Sequence, residues 1–503
     1  MYPIDLFLLT KTKPLNIQEF CEYLQIVSKS QRQLKIRDYE RNNLYQFIEL
    51  LKSNNINISC LNGFYYSYTI AQIGKEFDLI KICKNFVLNI EIKSDYPESR
   101  TTSEDRIKEQ LVLNKHYLKN INDKIESFTY VAKDNKLFHL NDNNELLECS
   151  CEEICNIING SLDYVNENLD DIVCPTYYLV SPFNDVEKFI NDEYFLTNQQ
   201  ENIKKDILKF INDEEFKCFR IIGDAGTGKT LLMYDIAKTL SSEINVCIVH
   251  CGKLNSGHHE LLKHFPNIDI ISAKELRCAD ISKYKVIFID ESQRIYWWQF
   301  EYLIKESTEK NIKIIFNVGL DQIMQESEKK SNINGKLDEI KNLKSFNLST
   351  KIRSNEKLAS FIKNLVNLKE VKKDINYDNV EIFYVSTTNE LRELLQYLSK
   401  LKYKFISFTP SRYKCHEIDE YLSDCNTHDV IGQEFDNVVM VMGQNFEYVN
   451  DRLSSRTHPN PDYIFSKLFY QGITRARLKL AIVVLRNIDL YKKIVKIKEN
   501  KGE

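Results

Sequence analysis

The sequence predicts an α/β protein: an N-terminal α/β domain followed by two tandem α/β domains, each built on a parallel sheet with crossover helices. Three patterns predict it. From Phe216 onward the short apolar runs KCFRIIG, NVCIVHC, KVIFID and KIIFNVG are each followed by a polar helical stretch, the rhythm of βα units. After Arg353 the rhythm restarts with VEIFYVS, YKFISFTP, NVVMVMG and LAIVVL. Before both, the chain reads as helices, a strand hairpin and a charged helix.

In chain order, residues 1 to about 70 are mostly helical, with apolar side chains of NNLYQFIELLK at helical spacing. A hairpin follows, then a charged helix over about 103–121, SEDRIKEQLVLNKHYLKNI, and a short mixed segment ending near DIVCPTYYLVSPFN. Within that segment LLECSCEEICNII reads as a strand running into a helix. The stretch holding Pro175 and Pro182 reads as a linker, so the expected domains are 1–180, 186–350 and 351–503. No internal repeat or low-complexity tract is visible.

Composition sets limits. With 503 residues the chain is too long for one hydrophobic core, and 43% hydrophobic with 28% charged residues is ordinary for a folded protein. A formal net charge of -4 gives no global attraction to polyanions, so a nucleic-acid surface must be a local basic channel. The N-terminal run MYPIDLFLLTKTKP lacks a basic leader and contains Asp5, and no run approaches bilayer length, so a cytoplasmic protein with no membrane contact is expected. The 13 cysteines are odd in number and scattered, which favours reduced thiols. Cys149, Cys151, Cys155 and Cys174 match no common metal-binding spacing.

The chemistry is concentrated in two places. GDAGTGKT at 223–230 fits G-x-x-x-x-G-K-[ST] between an apolar strand and a helix. In that setting the backbone of Gly223, Asp224, Ala225, Gly226, Thr227 and Gly228 wraps phosphates, Lys229 reaches the β and γ oxygens, and Thr230 ligates Mg2+. About 60 residues later KVIFIDES ends a strand in Asp290, suited to hold Mg2+ through water, and Glu291, suited to orient an attacking water. ATP and Mg2+ are thus the expected cofactors.

The remaining segments resemble the superfamily 1 DNA/RNA helicases, most closely bacterial proteins with the Schlafen-group helicase domain, over roughly 190–490. LTNQQ, with Gln200, looks like the adenine-reading Q motif, and DESQR is similar to the DExx box. FNVGLDQ resembles the third motif, with Gln322 as γ-phosphate sensor, and STKIRSN sets Arg353 where these enzymes keep an arginine finger. HDVIGQEFDNVVMV, containing Glu434, resembles motif V, and LFYQGITRARLKL resembles motif VI, with Arg475 as the second finger. The resemblance implies two RecA-like P-loop domains closing on ATP, Lys229 on one side and Arg353 and Arg475 on the other, to step along a nucleic-acid strand. Two departures stand out: Ile431 replaces the usual polar residue before Gly432, and GLDQ is shorter than the usual Gly-Asp-x-x-Gln. The intervals from Lys229 to Asp290 and from Arg353 to His428 leave no room for large insertions, so a minimal translocase with limited unwinding is expected.

In the N-terminal region, a two-residue turn at Lys84 and Asn85 would set Asp78 opposite Glu91, with Lys93 on the same face. Two carboxylates for Mg2+ and a lysine that orients water suit phosphodiester hydrolysis. An exposed hairpin with a Glu-Lys pair would carry the same residues. The arrangement resembles the D-x(n)-E-x-K core of restriction-endonuclease-like PD-(D/E)xK nucleases, which implies catalytic roles for Asp78, Glu91, Lys93 and Gln110, metal ligation by Asp78 and Glu91, and an assisting Glu76. Trp297 and Trp298 suit base stacking, but core packing is the more frequent role of such aromatics and is expected here; His258 and His259, just past the second strand, suit a nucleic-acid contact, with a solvated loop the expected setting. Two functions fit: an ATP-driven helicase fused to a Mg2+-dependent nuclease, in phage defence or DNA repair, or an ATP-gated nucleic-acid-binding switch with an inactive nuclease-like domain. The partner is nucleic acid, DNA more than RNA, contacted as a single strand; a protein partner or a second copy is also compatible.

Overall fold

In the computed structural model the chain divides into two compact units, Met1–Tyr178 and Leu179–Glu503. The structure describes all residues except 31, 71–73, 98–102, 174–179, 212–217, 320–322, 350–355, 371–374, 411–422, 424, 457–462 and 500–503.

The first unit is built on one sheet whose strands lie in chain order: β1 (Ile4–Asp5), β2 (Asn62–Thr69), β3 (Glu76–Ile82), β4 (Val87–Lys93), β5 (Ile125–Val131), β6 (Lys136–Leu140) and β7 (Leu146–Cys149). Neighbours are antiparallel except β4 and β5, which run parallel. A parallel pair cannot be closed by a tight turn. The helix Ser103–Leu118 makes the crossover. Alternation along β4 then sorts its side chains. Leu88 and Ile90 enter a core with Leu44, Phe47, Ile48 and Leu51 of the helix Asp38–Ser53. Asn89, Glu91 and Lys93 point the other way, toward the crossover helix, whose Ile107 and Leu111 pack on Val131, Phe138 and Leu140. The mixed segment expected after that helix supplies three strands of the same sheet, and LLECSCEEICNII forms β7 and the helix Cys151–Asn159, with Ser150 as its N-cap.

The second unit holds two parallel sheets. In the first, the order is β10-β9-β11-β12-β8-β13, formed by β8 (Cys218–Gly223), β9 (Val246–His250), β10 (Ile268–Ser272), β11 (Val286–Asp290), β12 (Lys313–Val318) and β13 (Leu343–Leu348). In the second, β14 (Val380–Val385), β15 (Lys404–Phe405), β16 (Phe435–Met442) and β19 (Ala476–Leu485) lie in the order β14-β19-β16-β15. A hairpin of β17 (Phe446–Val449) and β18 (Arg452–Ser455) stands apart from them. The eight strands anticipated in these sheets are present. Strands β10 and β13 and the β17–β18 hairpin are additional to those the apolar runs predict. Because every pairing in the first sheet is parallel, the carboxyl ends of its strands share one edge, where such sheets bind ligands. Among the described residues no helix is long and apolar enough to cross a membrane.

Candidate nucleotide site and a second carboxylate site

The edge of the first parallel sheet carries the P-loop. Strand β8 ends at Gly223 and the helix Lys229–Leu240 begins six residues on. Gly226 and Gly228 sit at φ +86° and +76°, a backbone region that glycine enters without penalty and that turns successive N–H groups toward one concavity. Gly223 is tightly enclosed: a Cβ there would lie 2.5 Å from Thr227 Oγ1 and 3.0 Å from the Leu348 carbonyl. Lys229 Nζ folds onto the loop and donates to the carbonyls of Gly223 (2.8 Å) and Asp224 (2.9 Å). Gln200 is fully buried. Its amide donates to the Thr227 carbonyl (3.1 Å) and accepts from the Thr197 N–H (2.8 Å), so it braces the loop while lining the same cleft as Phe195, Thr230, Gly432 and Glu434.

Asp290 ends β11 with zero exposure, accepting from Asn317 Nδ2 (2.8 Å) and Thr230 Oγ1 (3.3 Å), with His250 Nδ1 3.3 Å from its second oxygen. Behind it His258, stacked on Phe183 at 4.0 Å between centroids, is pushed down to about pKa 3 by burial and by neighbouring His250. His258 is thus a packed residue of the helix Ser256–His264, not part of a solvated loop; His259, on the same helix, is exposed. Glu291 takes φ +55°, which is uncommon outside glycine. Burial alone would raise its carboxyl, but Arg294 (Nε 3.5 Å away), Lys229 and Arg475 hold it below the ordinary value. Arg475 is itself fully buried, with Nε on the Gln471 carbonyl (3.1 Å). Its charge reaches Glu291 from the turn that leads into β19 of the second parallel sheet. Gln322 and Arg353 lie outside the described residues. Ile431 is buried, and Gly432 at φ +76° has no room for a side chain beside Phe183.

In the first unit Cys83 N–H meets the Phe86 carbonyl at 2.9 Å across the Lys84–Asn85 turn. The register continues through Leu79↔Ile90, so Asp78 falls opposite Glu91. Glu91 is almost fully buried under three donors: Gln110 Nε2 at 2.5 Å, Asn114 Nδ2 at 2.8 Å and Lys93 Nζ at 3.1 Å. Asp78 accepts from the Ile92 N–H at 2.7 Å, and burial, then the Glu91 charge, push its carboxyl up to about 7. Burial would lower the Lys93 ammonium, yet Glu91 and Asp78 raise it overall. Glu76 stands farther out, accepting from Ser67 Oγ at 2.8 Å. Asn114 was missed in the sequence although it lies four residues after Gln110, on the same helix face. Beneath Glu91, the Asn89 amide, Ser127 Oγ and Asn114 Oδ1 are buried with no hydrogen-bond partner among the described residues. A cation between Asp78 and Glu91 would favour the ionised form of both carboxyls, and the orphaned Asn89 and Asn114 oxygens are acceptors that its bound water could reach. Among the described residues no three His, Cys, Asp or Glu side chains converge on a metal site, so water or substrate oxygens would complete its shell.

Trp297 and Trp298 do not pack in the core. Trp297 is 51% exposed, and Trp298 is half-buried at the start of the helix Trp297–Lys310.

Residues 217–406 match the model of the Schlafen group 3, DNA/RNA helicase domain. No curated protein matches the chain. Solved structures that match include Pif1 helicase from Bacteroides in complex with ADP-AlF3 and ssDNA, 12% identical, with 56% of this chain and 91% of that one covered and a TM-score of 0.33. Bacteroides sp Pif1 in complex with ADP-AlF4 matches at 12% identity over 61% of this chain and 98% of that one, with a TM-score of 0.32. Over residues 217–406, which hold the P-loop and the acidic end of β11, the chain is similar to the DNA/RNA helicase domain of Schlafen group 3.

Proposed function

We propose that the second unit is an ATP-driven translocase or helicase acting on single-stranded nucleic acid, DNA more than RNA, and that the first unit is a Mg2+-dependent nuclease. One observation carries the motor reading: Lys229, which opens the helix after β8, and Arg475, in the turn that leads into β19 of the second sheet, both act on the Glu291 carboxylate just past β11. The lobes would be 186–350 and 351–503. Residues 223–228 cradle the phosphates through backbone N–H groups, and Lys229 exchanges the Gly223 and Asp224 carbonyls for β and γ oxygens. Thr230 and Asp290 would hold Mg2+, which neutralises phosphate charge during transfer. Glu291, kept ionised by its cationic neighbours, orients the attacking water. Gln200, Gln322 and Glu434 contact the nucleotide, and Arg353 and Arg475 stabilise transferred charge across the seam. ATP binding then couples to closure and stepping.

In the first unit, Asp78 and Glu91 would hold Mg2+, which activates water for phosphodiester hydrolysis. Gln110 fixes Glu91, and Lys93 orients the water. A strand-feeding motor joined to a cutter suits phage defence or DNA repair. The test uses purified full-length protein. ATP hydrolysis should rise with added single strands and fall at least about 100-fold in Lys229→Ala. Mg2+-dependent cleavage should disappear in Lys93→Ala. Cleavage absent across metals and substrates, with ATP-sensitive binding retained, would instead identify a nucleotide-gated switch.

A further inference from the structure

Large aromatic side chains gain strongly from burial, so a cluster left in water calls for a partner. Just past Glu291 the chain exposes such a cluster. Tyr296 is 55% and Trp297 51% exposed. The Tyr296 ring is within 11° of parallel to that of Trp298, with centroids 6.5 Å apart. The Arg277 guanidinium lies 3.9 Å from the Trp298 centroid, and Lys336 Nζ lies 5.5 Å from that of Trp297. Lys336 also meets Glu301 at 3.6 Å, whereas Arg277 makes no ion pair among the described residues.

Position adds to composition. Arg277 ends the short turn after β10, and the aromatic residues follow β11, so the cluster lies past carboxyl ends of the sheet whose β8 feeds the P-loop. Through Arg294, three residues from Glu291, this segment is fastened to the acidic end of β11. Flat π-faces flanked by cations match unpaired bases on a phosphate backbone: the rings stack on bases and the cations meet phosphates.

We propose that Tyr296, Trp297 and Trp298 form a stacking ridge for the unpaired bases of single-stranded nucleic acid, with Arg277 and Lys336 meeting its phosphates. This deepens the motor reading and rests on it. Trp297 and Trp298 are the only two tryptophans in the chain, so intrinsic tryptophan emission reports the ridge alone. Full-length protein is titrated with oligo-dT and oligo-U of about 12 nucleotides, and with an abasic oligomer of the same length and charge. Quenching is expected with the base-bearing strands only; the dT and U arms separate DNA from RNA. Trp297→Ala should weaken binding about tenfold, and Trp297→Phe should restore most of it, with the melting temperature of both unchanged.

Equal binding and quenching by the abasic oligomer would overturn the proposal, because phosphates alone would then account for it. Single strands that stimulate ATP hydrolysis without altering tryptophan emission would also overturn it and leave the motor standing, with the ridge assigned to a protein partner. Base-dependent quenching without any stimulated ATP hydrolysis would uphold the ridge and remove the motor.

Discussion

Each unit sets two carboxylates side by side, both buried in the second unit and one of them in the first, and the two pairs escape mutual repulsion by different routes. Asp290 and Glu291 are adjacent in sequence at the end of one strand, and Arg294, Lys229 and Arg475 hold Glu291 below its ordinary value despite its burial. Asp78 and Glu91 face each other across two strands. There the amide donors Gln110 and Asn114, with Lys93, gather on Glu91, while Asp78 rises to about 7 and keeps a proton near neutrality. A buried charge must be paired, solvated or removed. The first pair is matched by fixed cations of the fold. The second leaves one charge to be matched from outside.

The strongest way to break this comparison is to neutralise the pair already matched. Glu291→Gln should lower strand-stimulated ATP hydrolysis by about 10²–10⁴-fold while leaving nucleotide binding, measured by equilibrium titration, within a few fold of wild type. Loss of binding in step with hydrolysis would mean that Glu291 balances the cationic cluster and orients no water. A smaller effect sharpens the other side. Asn114→Leu removes the 2.8 Å donor to a nearly fully buried Glu91 and should destabilise the first unit by about 1.5–3 kcal/mol in urea unfolding of the full chain. An unchanged midpoint would show that water replaces the amide.

The same contrast explains what could be read from the residues alone. The P-loop residues form one contiguous segment and Asp290–Glu291 another, so the spacing of the sequence was enough to place each at the end of a strand, as observed. The Asp78–Glu91 pairing was legible only because a two-residue turn fixes register over the hairpin. Asn114 reaches Glu91 through a crossover helix whose rotation depends on Ile107 and Leu111 packing, and spacing from Gln110 was its one sequence signal. The cations around Glu291 come from the P-loop helix, a short turn after β11 and the distant turn before β19, and no local pattern unites them. Strands β10 and β13 were missed because IDIIS and LKSFNL are short and interrupted by polar residues. The tryptophans were misplaced because hydrophobicity alone does not distinguish an aromatic buried in a core from one held for a partner.

The finest test concerns the proton on Asp78. Its folded pKa of about 7 lies above an unfolded value of about 3.9, so the folded chain retains a proton that the unfolded chain releases. The stability this proton supplies is complete below about pH 4 and is lost as pH rises through about 7. Asp78→Asn keeps an acceptor for the Ile92 N–H and removes the charge. In chelator-treated full-length protein the variant should match wild type near pH 4. By pH 8 it should be more stable by on the order of 1 kcal/mol, a figure reduced for the partial exposure of the side chain. A difference between variant and wild type that stays flat from pH 4 to 8 would mean that Asp78 is matched within the fold, and the contrast between the two acid pairs would fall.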